Sequence, residues 1–358
     1  MQKFFSLICL GGAIALTGCG TRQNDPVQVD NESLTLALQQ AIDYTVIAAV
    51  DDFQSKSIAL QNQADTFCTG ISGADLHALQ DSWRDLYRQW FKLANYNFGP
   101  LNDDLVFAQY IYIDSLRLNG QNYLSTVRDA ISADLASTDD LNESYFDSKN
   151  FDKVGLLALE SAIFETSTIE HSTLNSNILD EYQNESRKCE ILTQLALQVK
   201  KHADYVYNGW HVNHKSSGEA YRELFLNDEL DDGTNNLTQL ISSVQEHLDY
   251  LKQRHVASTG GQVSDDVWNA LSATVDEIET LLKGTNETSI SFFTLMESAG
   301  YQYAVELVQG TLDDLRTNIS AQNVTDLETN LGLLDGYFKR EIPDSLAIDL
   351  GLNFSDGD

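Results

Sequence analysis

The sequence predicts an all-α fold of two packed antiparallel helical bundles, and three observations carry that reading. Only three prolines occur in 358 residues, and proline breaks helix interiors, so long stretches are free to form long helices. Apolar residues recur at threes and fours along most of the chain, which is the repeat of one helix face. Strand-like alternation of useful length is missing from the sequence.

Each element follows from that repeat. Leu34, Leu38, Ile42, Val46, Val50 and Phe53 step along one stripe of a first long helix. Ser72 and Asp75 form an acidic variant of the capping box and open a second. This helix carries Leu76, Leu79, Trp83, Leu86, Trp90 and Leu93, and stops before Phe98, Gly99 and Pro100. A third helix is expected over roughly 103–132, a short and very apolar one over 151–165, and a long one over 177–210. After a polar break from Asn227 to Gly233, helices resume near 236–256, 264–283, 288–318 and 323–340. Long helices joined by short loops pack as antiparallel bundles. The break divides the chain into a first bundle, 31–216, and a second, 217–358.

Hydrophobic residues make up 42% of the chain, and the formal net charge is −32. The first figure supports a real core and argues against disorder. The second disfavours nucleic acid and anionic headgroups and attracts cations or basic partners; solubility alone explains it equally well.

The N-terminus reads as a secretory signal. Lys3 precedes an apolar run from Phe4 to Leu16 that is too short to span a bilayer. Leu16, Thr17, Gly18 and Cys19 have the pattern of a bacterial lipobox. Residues 1–18 are therefore expected to be a signal peptide, Cys19 the lipidated residue, and 19–30 a polar tether. Gly20 after the cysteine is similar to lipoproteins sorted to the outer membrane. The expected place is the cell envelope, anchored to the membrane through Cys19 and facing the periplasm. Cys68 and Cys189 would then share an oxidising space in which pairs persist. A disulfide between them is expected, with two separate buried thiols as the alternative.

The segment from Asp81 to Trp90, followed by Phe98, Gly99 and Pro100, resembles the first signature of the imelysin family. Cys68, the Arg187 to Cys189 segment, and the ending from Leu350 through Phe354, Asp356 and Asp358 are similar to family features as well. The resemblance implies two packed helical bundles, frequent lipidation, and, in several members, regulation by iron or a place beside iron-uptake genes. It also implies a peptidase activity, from which the family takes its name, although many members lack an evident peptidase site. The family motif is Gly-x-His-x-x-Glu, and the matching segment runs from Gly155 to Glu160. Leu157 stands where the histidine is expected. A His and a Glu three apart on a helix can reach one metal, whereas a leucine offers no lone pair, and a single carboxylate is a poor shell for zinc.

Several other residues offer chemistry of their own. Glu160 lies in an apolar helix, so either it contacts a cation or substrate, or it has an internal partner such as Arg84 or a tyrosine. His211 and His214 have i, i+3 spacing and could supply half a metal site. Trp83 and Trp90 share a helix face, which suits a core or, with Arg84, a cleft wall. The acidic run from Asp228 to Asp232 reads as a solvated loop, because Leu230 occupies a position where a calcium loop needs oxygen. Asp356 and Asp358 suit a cation or a terminal turn equally. The sequence contains neither a nucleophile elbow nor a phosphate-binding glycine loop.

Three functions compete. The missing histidine, the acidic charge and the tether favour a non-catalytic periplasmic binding protein linked to uptake of iron or another divalent cation. A metallopeptidase of the imelysin type needs other residues to replace Leu157. An envelope scaffold that binds a peptide or protein partner is the third.

Overall fold

The structure, a computed structural model, describes residues 29–104, 108–115, 123–228, 230, 234–348 and 350. The expected signal peptide, Cys19, most of the tether, Phe354, Asp356 and Asp358 lie outside them. Asp30 opens α1 (Asn31–Ala41) by accepting the amide of Ser33. A π-helical turn, Ile42–Val46, continues into α2 (Ile47–Gly70). Such a turn widens the helix locally, yet Ile42, Val46, Val50 and Phe53 all remain buried. The run Asn31–Gly70 is long and apolar enough by composition to cross a membrane, but half of its most apolar window is buried inside the fold. Ile71 ends α2 in the left-handed region. Ser72 then caps α3 (Gly73–Leu93) through the amide of Asp75.

The helix expected over 103–132 is broken. Asn102 is non-helical after the turn at Gly99–Leu101, and among the described residues α-helix returns as α4 (Gln109–Ile113) and α5 (Leu124–Ala136). Asp114 leaves helical geometry at the end of α4, and its carboxylate accepts the indole N–H of Trp90 at 2.9 Å. That tertiary bond competes with continuing the helix. α6 (Glu143–Asp147) and α7 (Gly155–Phe164) follow. The helix expected over 177–210 is two, α8 (Asn175–Asn184) and α9 (Ser186–His211), because Glu185 turns out of the helix and caps the amide of Arg187. α2 packs against α3 and α9, while α7 packs on α3, α5 and α9.

The later helices are α10 (Tyr221–Leu226), α11 (Asn236–Gln253), α12 (Val256–Thr259) and α13 (Val267–Lys283). They continue as α14 (Phe292–Ser298), α15 (Gln302–Ser320), α16 (Val324–Lys339) and α17 (Glu341–Leu346). The expected helix 288–318 is split where Gly300 takes a left-handed φ of 96°. α11 packs on α16, α16 on α15, α15 on α13, and α13 on α3. The described residues contain helices and turns and no strand, so the all-α class holds. One hydrophobic cluster runs through the helices on both sides of the 216–235 break. α10 lies against the preceding helices: Tyr221 and Phe225 close on Phe98 and Trp210.

Two features tie distant segments together. Cys68, near the end of α2, is bonded to Cys189, near the start of α9, with Cα atoms 5.6 Å apart across 121 residues. Closing so long a loop stabilises by about 4–5 kcal/mol in the chain-entropy model. The native chain should therefore yield no free thiol from this pair before reduction. Cys68→Ser should lower stability by an amount approaching that figure, read by denaturant unfolding. Two titratable thiols in the unreduced chain would contradict the bridge.

The second tie is Glu277 on α13, which accepts the phenol proton of the buried Tyr96 at 2.9 Å. Burial pushes this carboxyl up to about 7; Lys92 and the Tyr96 hydrogen bond oppose the rise, while Asp52 and Asp276 add to it. A carboxyl raised on folding favours the folded state most below its unfolded value. That contribution is lost as pH rises through about 7. Stability should fall between pH 5 and 8 by up to about 3 kcal/mol from this group. Glu277→Gln, which keeps an acceptor for Tyr96, should flatten the pH dependence of the melting temperature in that window. An unchanged slope would assign the effect elsewhere.

Candidate functional site

Gly155 fixes where α7 begins. Its φ is +81°, and a Cβ at that position would fall 2.5 Å from the carbonyl oxygen of Tyr112 and 2.7 Å from that of Ile113. Only glycine fits, so the start of α7 is pressed against the end of α4. Leu157 and Glu160 then project from one face of α7, three residues apart. Both line a small cavity of about 30 Å³, together with Trp83, Tyr87, Asp114 and the segment from Thr259 to Gly261. That volume holds a water molecule or two.

Trp83 walls the cavity from α3, while Trp90 reaches it only through its bond to Asp114 and packs on Phe53. The Trp83 indole donates to the carbonyl of Leu156 at 3.2 Å and stacks on Tyr87 at 4.7 Å. Arg84 points elsewhere: it pairs with Asp81 at 3.1 Å and lies over the Phe164 ring at 4.9 Å.

Glu160 is 2% exposed. Its Oε1 accepts three hydrogen bonds: from the amide of Val263 at 3.1 Å, the amide of Ser264 at 2.8 Å and the hydroxyl of Ser264 at 2.8 Å. The internal partner is thus neither Arg84 nor a tyrosine. It is a loop more than a hundred residues away, which supplies backbone donors the sequence cannot display. Burial pushes the Glu160 carboxyl upward, and the Ser264 and Val263 donors hold it back. Burial also drives the Tyr87 phenol well upward, aided by the charges of Glu160 and Asp114.

The same loop is gripped a second time. Arg88 on α3 donates through Nε at 2.8 Å and Nη2 at 2.6 Å to the two carboxylate oxygens of buried Asp266. Asn269 adds a third donor to Asp266 at 2.7 Å. Two acid contacts, Glu160 from α7 and Asp266 to α3, therefore pin the 260–266 segment across the α3–α13 packing. Sequence reading missed Asp114, Ser264 and Asp266, and gave no role to Arg88 although it lies within the Asp81–Trp90 signature segment. Each acts through a partner on another element.

The two histidines face separate acids. His211 Nε2 lies 2.6 Å from Asp51 Oδ1, and the ring packs on Tyr207. His214 is buried against Tyr221, with Nδ1 3.9 Å from Asp103. Asp228 accepts the amide of Asn236 at 2.8 Å ahead of α11, and most of the acidic run after it lies outside the described residues. Among the described residues, no group of three or more His, Cys, Asp and Glu side chains is placed to hold a metal ion. The residues at the Glu160 cavity do not fit a zinc- or iron-type centre. Leu157 has no lone pair, and the one oxygen of Glu160 with partners is already saturated by donors.

Comparison with known proteins agrees with this architecture. The family model for imelysin matches residues 46–341. The chain belongs to the imelysin family. An imelysin-like protein from Psychrobacter arcticum 273-4 superposes with a TM-score of 0.71 at 17% identity, covering 91% of this chain and 100% of that one. A protein from Parabacteroides distasonis ATCC 8503, provisionally named an iron-regulated protein A precursor, gives a TM-score of 0.59 at 16% identity, covering 87% and 96% respectively. At these identities the likeness is one of fold. Among curated proteins no significant match is found.

Removing the Glu160 acceptor should be costly, because buried amides would lose their partner. Glu160→Ala should lower stability by about 2–4 kcal/mol, and Glu160→Gln, which keeps one oxygen, by less. Thermal melts of both variants test this; an alanine variant that melts with the native chain would show that the loop is held by other means.

Proposed function

We propose that this chain is a non-catalytic binding protein of the cell envelope, linked to the uptake of iron or another divalent cation. The observation that carries the non-catalytic reading is the pairing of Leu157 and Glu160 at the cavity. An apolar side chain stands where the family motif is expected to place its histidine, and the neighbouring carboxylate is occupied as a clamp on Val263 and Ser264. A cavity of about 30 Å³ also cannot seat a peptide bond with its flanking residues; pockets for small ligands run to roughly 300–1,000 Å³. The link to iron draws on the name of the Parabacteroides protein and on a charge of −32, which concentrates cations near the surface. Casein digestion abolished by a chelator would favour the metallopeptidase reading instead.

Titration calorimetry with zinc and ferrous iron should show no site on the native chain that depends on Glu160. Leu157→His, which restores an imidazole three residues before Glu160, should gain affinity by about tenfold or more over the native chain. Stoichiometric metal binding by the native chain, lost in Glu160→Ala, would overturn the proposal.

Location is proposed on the N-terminal sequence: lipid at Cys19, anchoring in the outer membrane, and the helical body facing the periplasm. In bacteria expressing the full chain, labelled palmitate should enter the protein and it should sediment with membranes. Cys19→Ser should abolish both, and equal labelling of the serine variant would remove Cys19 as the anchor.

A further inference from the structure

The geometry points to a partner surface that shares no residue with the Glu160 cavity: the groove between the end of α13, α14 and α15 receives a basic segment of another protein, in which an apolar residue lies between two cations. The groove has a volume of about 570 Å³, enough for several side chains.

Its floor is apolar. Phe293 of α14 and Val305 of α15 line it and are nearly buried, 5% and 8% exposed. Gly310 continues the floor as bare backbone. It stands in the middle of α15, where glycine is less favourable than alanine. Neither common reason for a glycine applies to it. Its φ is not in the left-handed region, and an added Cβ would meet nothing within 4 Å. The packing of the fold therefore does not require this glycine. What it does is keep the groove open where a longer side chain would stand in it.

The rim is acidic, and its carboxylates are available. Glu297 on α14 and Glu306 on α15 line the groove and make neither an ion pair nor a side-chain hydrogen bond among the described residues. The carboxylate of Asp313, also on α15, meets Arg316 at 3.4 Å and remains 67% exposed. Lys283 lines the groove as well, but it is paired with Glu279 at 3.5 Å. Tyr303, one turn before Glu306 on α15, is 72% exposed, an aromatic face that a guanidinium or ammonium can cover. Acid alone would not mark a place in a chain of net charge −32. Acid around an open apolar floor does.

The spacing suits an extended peptide. Glu306 and Asp313 lie two turns apart on α15, about 10 Å along its axis. An extended chain advances about 3.3 Å per residue. Two cations separated by two residues therefore match the two carboxylates, and an apolar residue between them reaches the floor. Glu297 adds negative charge from the α14 wall. A polyamine would satisfy the rim and leave the floor uncovered. A purely apolar peptide would cover the carboxylates without giving them partners, which is costly.

Fluorescence anisotropy with the purified full chain and a labelled Gly-Arg-Leu-Leu-Arg-Gly peptide tests the surface. The peptide should bind with one-to-one stoichiometry, and more weakly as salt is raised. Serine in place of both leucines should cost about tenfold or more, and glutamate in place of both arginines should abolish binding. Glu306→Gln should weaken binding about threefold. Gly310→Gln should raise the melting temperature, because glutamine is the better helix former, and should weaken binding about tenfold or more by filling the floor. A variant that is more stable and binds worse separates the groove from any loss of fold. The proposal is overturned if the peptide does not bind at about 0.5 mM, or if spermine or the serine peptide displaces it as well as its own unlabelled form does. It is also overturned if Gly310→Gln melts below the native chain, which would make the glycine structural, or binds the peptide as the native chain does.

Discussion

The burial of α3 is the constraint on which the other features depend. One face of this helix is wholly buried, from Leu76 and Leu79 through Trp83, Leu86 and Trp90 to Leu93, so polar groups carried on that face must find partners within the protein. Trp83 and Trp90 fill the apolar side, but each brings an indole N–H that burial forbids leaving unpaired. The first is met by the Leu156 carbonyl and the second by Asp114. Meeting Trp90 turns the chain out of helix after α4, and that break is what brings the end of α4 against Gly155. Arg88, emerging on another side, is met by Asp266. The buried face of a single helix thereby bears on the end of α4, the start of α7 and the anchoring of the 260–266 loop.

The buried acids show the same economy. In a chain of net charge −32, surface carboxylates repel one another and gain little from being moved. Those taken inside are retained only where donors await them. Asp266 keeps a bidentate arginine and Asn269, and Glu165 keeps Arg128 and Ser161. Glu160 and Glu277 have no such cation within hydrogen-bonding reach, and burial raises both. Glu160 meets two amides and a hydroxyl, whereas Glu277 meets one phenol. The difference separates a carboxylate held as a structural clamp from one left sensitive to pH near neutrality.

Much of the fold was legible in the sequence because it rests on local periodicity. The stripe from Leu34 to Phe53, the capping pair Ser72 and Asp75, and the apolar α7 segment each declare themselves within a turn or two. The breaks were less legible. Glu185 and Asp114 are ordinary helix residues by propensity, and they leave helix only because an amide cap or a distant indole competes with the next helical hydrogen bond. Those two breaks had no local signal to read, unlike the one at Gly300, where the glycine itself is the signal. The Cys68–Cys189 pair was legible by cysteine arithmetic alone.

The candidate site was legible in part, and the part that was hidden changes its meaning. The sequence marks Gly155, Leu157 and Glu160 as a unit, and the spacing does place the last two at one cavity. It cannot show that the Glu160 carboxylate is spent on Val263 and Ser264, since backbone amides carry no residue-type signature. A glutamate three residues from an imidazole reads as half of a metal shell; the same glutamate beside Leu157, under three donors, does the work of a loop anchor. The loop it anchors ends at Asp266, which grips Arg88 on α3. The 260–266 segment is thus held twice, to α7 through Glu160 and to α3 through Asp266, so the clamp is as much a part of the packing of α3 as of α7.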